Sequence, residues 1–285
     1  MILRLIMRLG AARFFVGYVI LIALIAVQAP AQAAERERVQ AFLEITGFDV
    51  ALDSIALSAQ NAPMMLGKEA GDFGADWSRV AEQVFDRDVM RGIALDILEQ
   101  TLSEEALTHA AEFYATPLGQ RLVKVENASH LSKDATAREE IGRASINQWV
   151  SEGSKRIGYL QRMSRAIDMD DTGVKAVQEI QLRFLMAASN AGVLENEIDE
   201  GTLRAVMAQN EAELRIRLKE SGLISAAYTY RDIPDDDLAA YAEALEQPLM
   251  QEVYELLNAV QYEITAGRFE ILAGKMAQMH PGQEL

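Results

Sequence analysis

The chain has 285 residues, half of them hydrophobic and a quarter charged, with a formal net charge of −16; that length and composition allow one or two globular domains with real cores. It contains no cysteine, which excludes disulfides, thiolate metal sites and cysteine nucleophiles. The acidic balance disfavours nucleic acid and anionic lipid surfaces as partners, and its plain use is solubility.

In chain order, the first element is a targeting segment. Arg4, Arg8 and Arg13 make a basic start, residues 14–27 are an uncharged apolar run, and Ala31-Gln32-Ala33 supplies a small-residue cleavage signal before Ala34. The run of 14 residues falls short of the roughly 20 that a spanning helix needs. Residues 1–33 are therefore expected to be a signal peptide, with the mature protein in the periplasm. No later apolar run is long enough to cross a membrane, and no cysteine follows the cleavage site to take a lipid.

The rest of the chain reads with helical period. Val39, Phe42 and Leu43 open an apolar face, and Val50, Ile55 and Leu57 carry the next segment. Residues 61–74, with Pro63, Gly67, Gly71 and Gly74, are expected to be a loop. Helical spacing returns at Trp77, Val80, Val84 and Phe85 and continues through Val89, Ile93, Leu95 and Leu98. No stretch alternates apolar and polar residues long enough for a strand, so the predicted class is all-α.

The clearest organisation is internal. Residues 102–128 align without gaps on residues 233–259, with identities at Leu107/Leu238, Ala111/Ala242, Glu112/Glu243, Pro117/Pro248, Leu118/Leu249, Gln120/Gln251, Asn127/Asn258 and Ala128/Ala259. Each segment opens with acids, Glu104 and Glu105 or Asp235, Asp236 and Asp237, which the helix dipole favours in a first turn. An apolar stripe follows, Leu107, Ala110, Ala111 and Tyr114 or Leu238, Tyr241, Ala242 and Leu245. A proline then suits the first position of a new helix, whose stripe is Leu118, Leu122 and Val125 or Leu249, Val253 and Leu256. Upstream, Glu44-Ile45-Thr46-Gly47 echoes Asp170-Asp171-Thr172-Gly173.

The predicted architecture is thus a helical bundle of two tandem, diverged helix–Pro–helix repeats, over 34–133 and 168–279. A connecting helix joins them over 134–167, carrying Ile141, Ile146, Trp149, Ile157, Leu160 and Met163, and 280–285 is a flexible tail. Packed against each other, the repeats should bury Leu107, Ala111, Tyr114, Leu118 and Leu122, with Leu238, Ala242, Leu245, Leu249 and Val253.

The acidic helix start at Glu104-Glu105, the run Phe113-Tyr114-Ala115-Thr116-Pro117-Leu118-Gly119-Gln120 and the upstream Thr46-Gly47 together resemble a bacterial family known by number only, domain-of-unknown-function family 2059. The resemblance covers about a third of the chain. The second repeat departs from it, with Ala244-Leu245 in place of Phe-Tyr and Met250 in place of the glycine. The resemblance implies a helical, commonly exported protein, and brings no activity and no site residue with it.

Candidate chemistry is sparse. Residues 168–179 nearly fit a calcium loop, with oxygens from Asp168, Asp170 and Thr172, then Gly173 and Glu179. Lys175 and Ala176 depart from that pattern, and Asp170, Asp171 and Thr172 are what a helix N-terminus selects, so a cap is expected. His109, His130 and His280 are too scattered to hold zinc. Gly142 to Ser145 only partly echoes a nucleophile elbow, and Glu139-Glu140 reads as a solvated face. The methionines, among them Met64, Met65, Met186, Met207 and Met250, read as core filler before a groove lining, and Asn127-Ala128-Ser129 is a formal glycosylation sequon.

No catalytic, cofactor-binding or metal-binding residue is assigned, and no enzyme activity is expected. The expected function is a periplasmic interaction or scaffold protein of the bacterial cell envelope. The alternative is a carrier for an apolar or lipid-like ligand in a cleft between the repeats, and a third is a hydrolase using acidic residues. A lined cavity would favour the carrier, two converging buried carboxylates the hydrolase, and a solid core with an exposed apolar patch the scaffold. The partner would be an envelope protein or an apolar ligand, and not nucleic acid.

Overall fold

The apolar spacing resolves into thirteen α-helices and no β-strand among the described residues, which in this computed structural model are 36–60, 62–74, 76–167, 172–194 and 196–279. The segments expected to be signal peptide and tail lie outside them. The helices are α1 (Arg36–Thr46), α2 (Phe48–Ala59), α3 (Trp77–Val84), α4 (Arg87–Thr101), α5 (Glu104–Tyr114), α6 (Pro117–His130), α7 (Ala135–Ser151), α8 (Arg156–Ala166), α9 (Thr172–Asn190), α10 (Glu200–Gln209), α11 (Glu211–Tyr230), α12 (Asp235–Leu245) and α13 (Pro248–Met276).

The predicted class holds, and the differences lie in the breaks. Val39, Phe42 and Leu43 bury the inner face of α1. Gly47, at φ +73°, is the single residue between α1 and α2, and a Cβ there would also meet Asn127 Oδ1 at 2.4 Å. The buried face of α2 is Phe48, Ala51, Leu52, Ile55 and Ala59, spaced as a helix requires, whereas Leu57, expected on that face, is exposed. Residues 61–74 are more regular than a loop, with 3₁₀ turns at Ala62–Leu66 and Ala70–Phe73. Asp86 accepts the Val89 N–H at 3.0 Å and so divides α3 from α4 inside one continuous apolar pattern.

The single connecting helix expected over 134–167 is two helices. Asp134 caps α7 by accepting the Ala137 N–H at 2.9 Å, and Gly153 turns left-handed at φ +63° before α8 begins. Apolar spacing continues across that break and conceals it. α7 lies so close to α11 that a Cβ on Gly142 would meet the Ile224 carbonyl at 2.3 Å.

Packing pairs run in parallel. α1 lies on α4 and α5, as α8 lies on α11 and α12; α2 packs on α4 and α6, as α9 packs on α11 and α13. By contacts, α8 stands to the second helix–Pro–helix unit as α1 stands to the first. α13 serves both units. Its 29 residues rise roughly 43 Å and touch α2, α3, α4 and α5 as well as α9 and α12. Ten of its side chains are buried between Met250 and Met276, and Phe269 meets Phe85 and Phe184 edge-on at 5.3 and 5.7 Å.

Leu107, Tyr114, Leu122, Leu238, Ala242, Leu245 and Val253 are buried, while Ala111, Leu118 and Leu249 are only partly so. In the two post-proline helices the inner stripe is rotated by one residue from the one read in the sequence. It passes through Gly119, Leu122 and Val123 in α6, and through Met250, Val253 and Leu257 in α13.

Candidate functional site

That rotation brings Glu126, one turn after Leu122 and Val123, to the inner face of α6, at the position aligned with Leu257. Its Oε1 accepts the Tyr230 hydroxyl at 2.7 Å and the Tyr241 hydroxyl at 3.0 Å. The Tyr241 hydroxyl lies 3.1 Å from that of Tyr114 and 2.9 Å from that of Tyr254, and the Tyr114 and Tyr254 hydroxyls also meet. Five helices, α5, α6, α11, α12 and α13, thus each place one side chain in one polar cluster. Phe113 stacks on the Tyr241 ring at 5.9 Å, and Tyr230 approaches it edge-on at 6.1 Å.

The backbone of Tyr230 is held from below by Arg156. The guanidinium is almost fully buried, donates to the Tyr230 carbonyl at 2.7 Å and to Asp235 Oδ1 at 2.6 Å, and lies 4.7 Å from the centre of the Trp149 ring. It therefore ties α8 to the end of α11 and the start of α12.

Burial pushes the Glu126 carboxyl above the usual carboxylate range, and the two tyrosine hydrogen bonds only partly oppose this. Burial likewise pushes Tyr114, Tyr230 and Tyr241 well above the ordinary phenol value, with the nearby acidic groups adding to it. Four phenolic hydrogens serve five close oxygen–oxygen contacts, and the Glu126 carboxyl accepts in two of them.

The cluster lines a cavity of about 1000 Å³, the upper end of the range for small-molecule sites, roughly 300–1,000 Å³. Apolar walls come from Phe48 and Ala51 on α2, Leu160 and Met163 on α8, Val177 on α9 and Leu218 and Ile224 on α11. Aligned positions line it in pairs: Gly47 and Gly173, Asn127 and Asn258, Tyr114 and Leu245, Glu126 and Leu257. The two asparagines do related work. Asn127 packs over Gly47, and Asn258 donates to the Ile167 carbonyl at 3.1 Å, so each secures the chain just ahead of a cavity-lining helix. His130 lines the cavity one turn beyond Glu126; desolvation, then the charge of Arg138, holds its pKa below the usual value.

The candidates weighed in the sequence are dispersed. Asp168, Asp170, Asp171 and His280 lie outside the described residues; α9 begins at Thr172, and Glu179 is exposed and 3.8 Å from Arg204. Among the described residues no three His, Asp or Glu side chains are grouped to hold a metal ion. His109 is partly buried on α5. Glu139 and Glu140 are exposed, with Glu139 accepting from Arg143 at 2.9 Å, and the Ser145 hydroxyl donates to the Ile141 carbonyl of its own helix at 2.9 Å. Met163 lines the cavity, Met250 is buried, Met186 and Met207 are half-buried, and Met64 is exposed. Glu126, Tyr230 and Tyr254 were not distinguished by the sequence reading, although an acid aligned with Leu257 was a usable signal.

One family model matches the chain. It is described as "Uncharacterized protein conserved in bacteria (DUF2059)", and it covers residues 88–143. That span runs from the first turn of α4 through α5 and α6 into α7, so it holds Tyr114, Glu126, His130 and Arg138 and includes the Glu104-Glu105 start and the run 113–120 on which the resemblance was drawn, but not Thr46-Gly47. No curated protein and no solved structure is detectably similar. No helix among the described residues is long and apolar enough to cross a membrane.

Proposed function

We propose that the protein is a non-enzymatic binding protein of the bacterial cell envelope, exported by residues 1–33, that takes an apolar or lipid-like ligand in the cavity between its two helix–Pro–helix units. The observation that carries this reading is the cavity itself, with apolar walls and a tyrosine–glutamate cluster in its lining. The polar cluster holds a single carboxyl group, Glu126, whereas two-carboxylate hydrolysis needs a facing pair. The test uses the neutral fluorophore N-phenyl-1-naphthylamine. The mature protein should enhance its emission saturably at one site, and Ala51→Phe, which fills the cavity from α2, should abolish this while leaving the helical circular dichroism unchanged. Binding that is indifferent to Ala51→Phe would overturn the reading.

A second reading, an interaction module, is favoured by α10. None of its residues is buried, Val206 on it is 48% exposed, and Ile216 on the neighbouring α11 is 66% exposed. If this surface is the functional one, Val206→Ser with Ile216→Ser should remove an envelope partner in cross-linking and leave fluorophore binding intact.

A further inference from the structure

We propose that the ligand of this cavity is a single-chain anionic amphiphile whose head group is held by Arg138. This rests on the cavity being a ligand site and adds the chemistry of the ligand.

The whole chain carries −16, yet the charges that line the cavity do not follow that sign. Glu139 and Glu220 both accept from Arg143, at 2.9 and 2.8 Å, and Arg217 donates to Glu213 on its own helix. The remaining acid of the lining, Glu126, already accepts from two tyrosine hydroxyls. A cationic ligand would find every lining carboxyl group engaged.

Arg138 differs. It lines the cavity from the first turns of α7, its Nη1 donates to the Ser129 carbonyl at 3.3 Å, and it takes part in none of the ion pairs found among the described residues. A guanidinium has five N–H donors in a planar fork, so most of this one is available to an oxyanion. His130 stands beside it on the same wall, and its imidazole can add a hydrogen bond without adding a second charge. A carboxylate or phosphate monoester at Arg138 leaves an acyl chain free to run over Leu160, Met163, Leu245 and Leu257. Acidic surroundings do not forbid this, because exposed charges more than a Debye length away, about 8 Å at physiological salt, are largely screened.

The experiment is titration calorimetry of the mature protein with dodecanoate, dodecyl phosphate and dodecyltrimethylammonium, each below its micelle concentration. The anionic probes should bind about tenfold or more tightly than the cationic one, the effect of one charge-assisted hydrogen-bonded contact. Arg138→Gln should remove that preference and leave N-phenyl-1-naphthylamine binding unchanged, which also certifies the fold. Between the two anions, tighter binding of dodecanoate supports a carboxylate head and tighter binding of dodecyl phosphate supports a phosphate head. Equal binding of all three probes, a preference for the cation, or an anion preference that survives Arg138→Gln overturns the proposal while the cavity reading stands. Failure of the neutral fluorophore as well overturns both.

Discussion

The α5–α6 and α12–α13 units share an acidic first turn, an apolar stripe and a helix-starting proline, and they part company where their side chains reach the cavity. Tyr114 and Glu126 of the first unit stand against Leu245 and Leu257 of the second, whereas Tyr241 and Tyr254 of the second stand against Ala110 and Val123 of the first. The polar cluster therefore takes two members from each unit at positions where the other unit is apolar, and Tyr230 completes it. Conserved chemistry between the units is structural: Arg38 bonds Glu104 as Arg156 bonds Asp235, at aligned acids. Divergent positions make the site.

The contrast is sharpest at Gly119 and Met250, which occupy the same step of the stripe. Met250 is fully buried, so Met250→Ala should cost on the order of 2–5 kcal/mol in chemical denaturation, as should Leu122→Ala. Leu118→Ala, on the partly buried edge of the stripe, should cost clearly less than Leu122→Ala; equal losses would put the inner face of α6 back where the sequence alone placed it. Gly119 has no room for the side chain its counterpart carries. A Cβ there would meet the Phe113 carbonyl and the Tyr114 Cα, each at 2.5 Å. Gly119→Ala should cost about 1–3 kcal/mol through overpacking and should disturb Tyr114, seen as a changed near-ultraviolet circular dichroism.

Glu126 tests the divergence through pH. Its folded-state pKa is raised by burial, so the unfolded chain releases this proton first as pH increases. The folded state thus loses stability as pH rises from the ordinary glutamate value, about 4.3, through the raised folded value. Glu126→Gln keeps the hydrogen-bonding shape without the titration, so that decline should flatten in urea midpoints measured across the range. An unchanged pH profile would mean the acid is ionised at no cost in the native cluster. The smallest effect concerns helix starts. Ser103 and Thr116 cap α5 and α6 with their side chains, while Pro234 and Gln247 make no such bond at α12 and α13. Thr116→Ala should cost about 1 kcal/mol, and Gln247→Thr should gain up to about that much.

The helices were legible because burial imposes a period that a single sequence displays. The breaks at Asp86 and Gly153 were not, since a cap interrupts backbone hydrogen bonding without interrupting apolar spacing. The same limit hid the stripe's rotation, where Leu118 and Leu249 outcompeted Gly119 and Met250 on hydrophobicity alone. The cluster was least legible of all. Its members lie as far as 140 residues apart in sequence, as Tyr114 and Tyr254 do, and each tyrosine alone passes for core. Only Glu126, an acid where the aligned residue is leucine, carried a trace of it.

The central position of α13 also sets a timetable. Among the described helices α13 comes last in chain order, yet α2, α3, α4 and α5 pack against it. Until it docks, those earlier helices have contacts with one another but lack their longest partner, and closing them requires loops spanning most of the chain. Helices arranged in this way reach their full packing only once α13 is in place, so the first half of the fold is completed by the second.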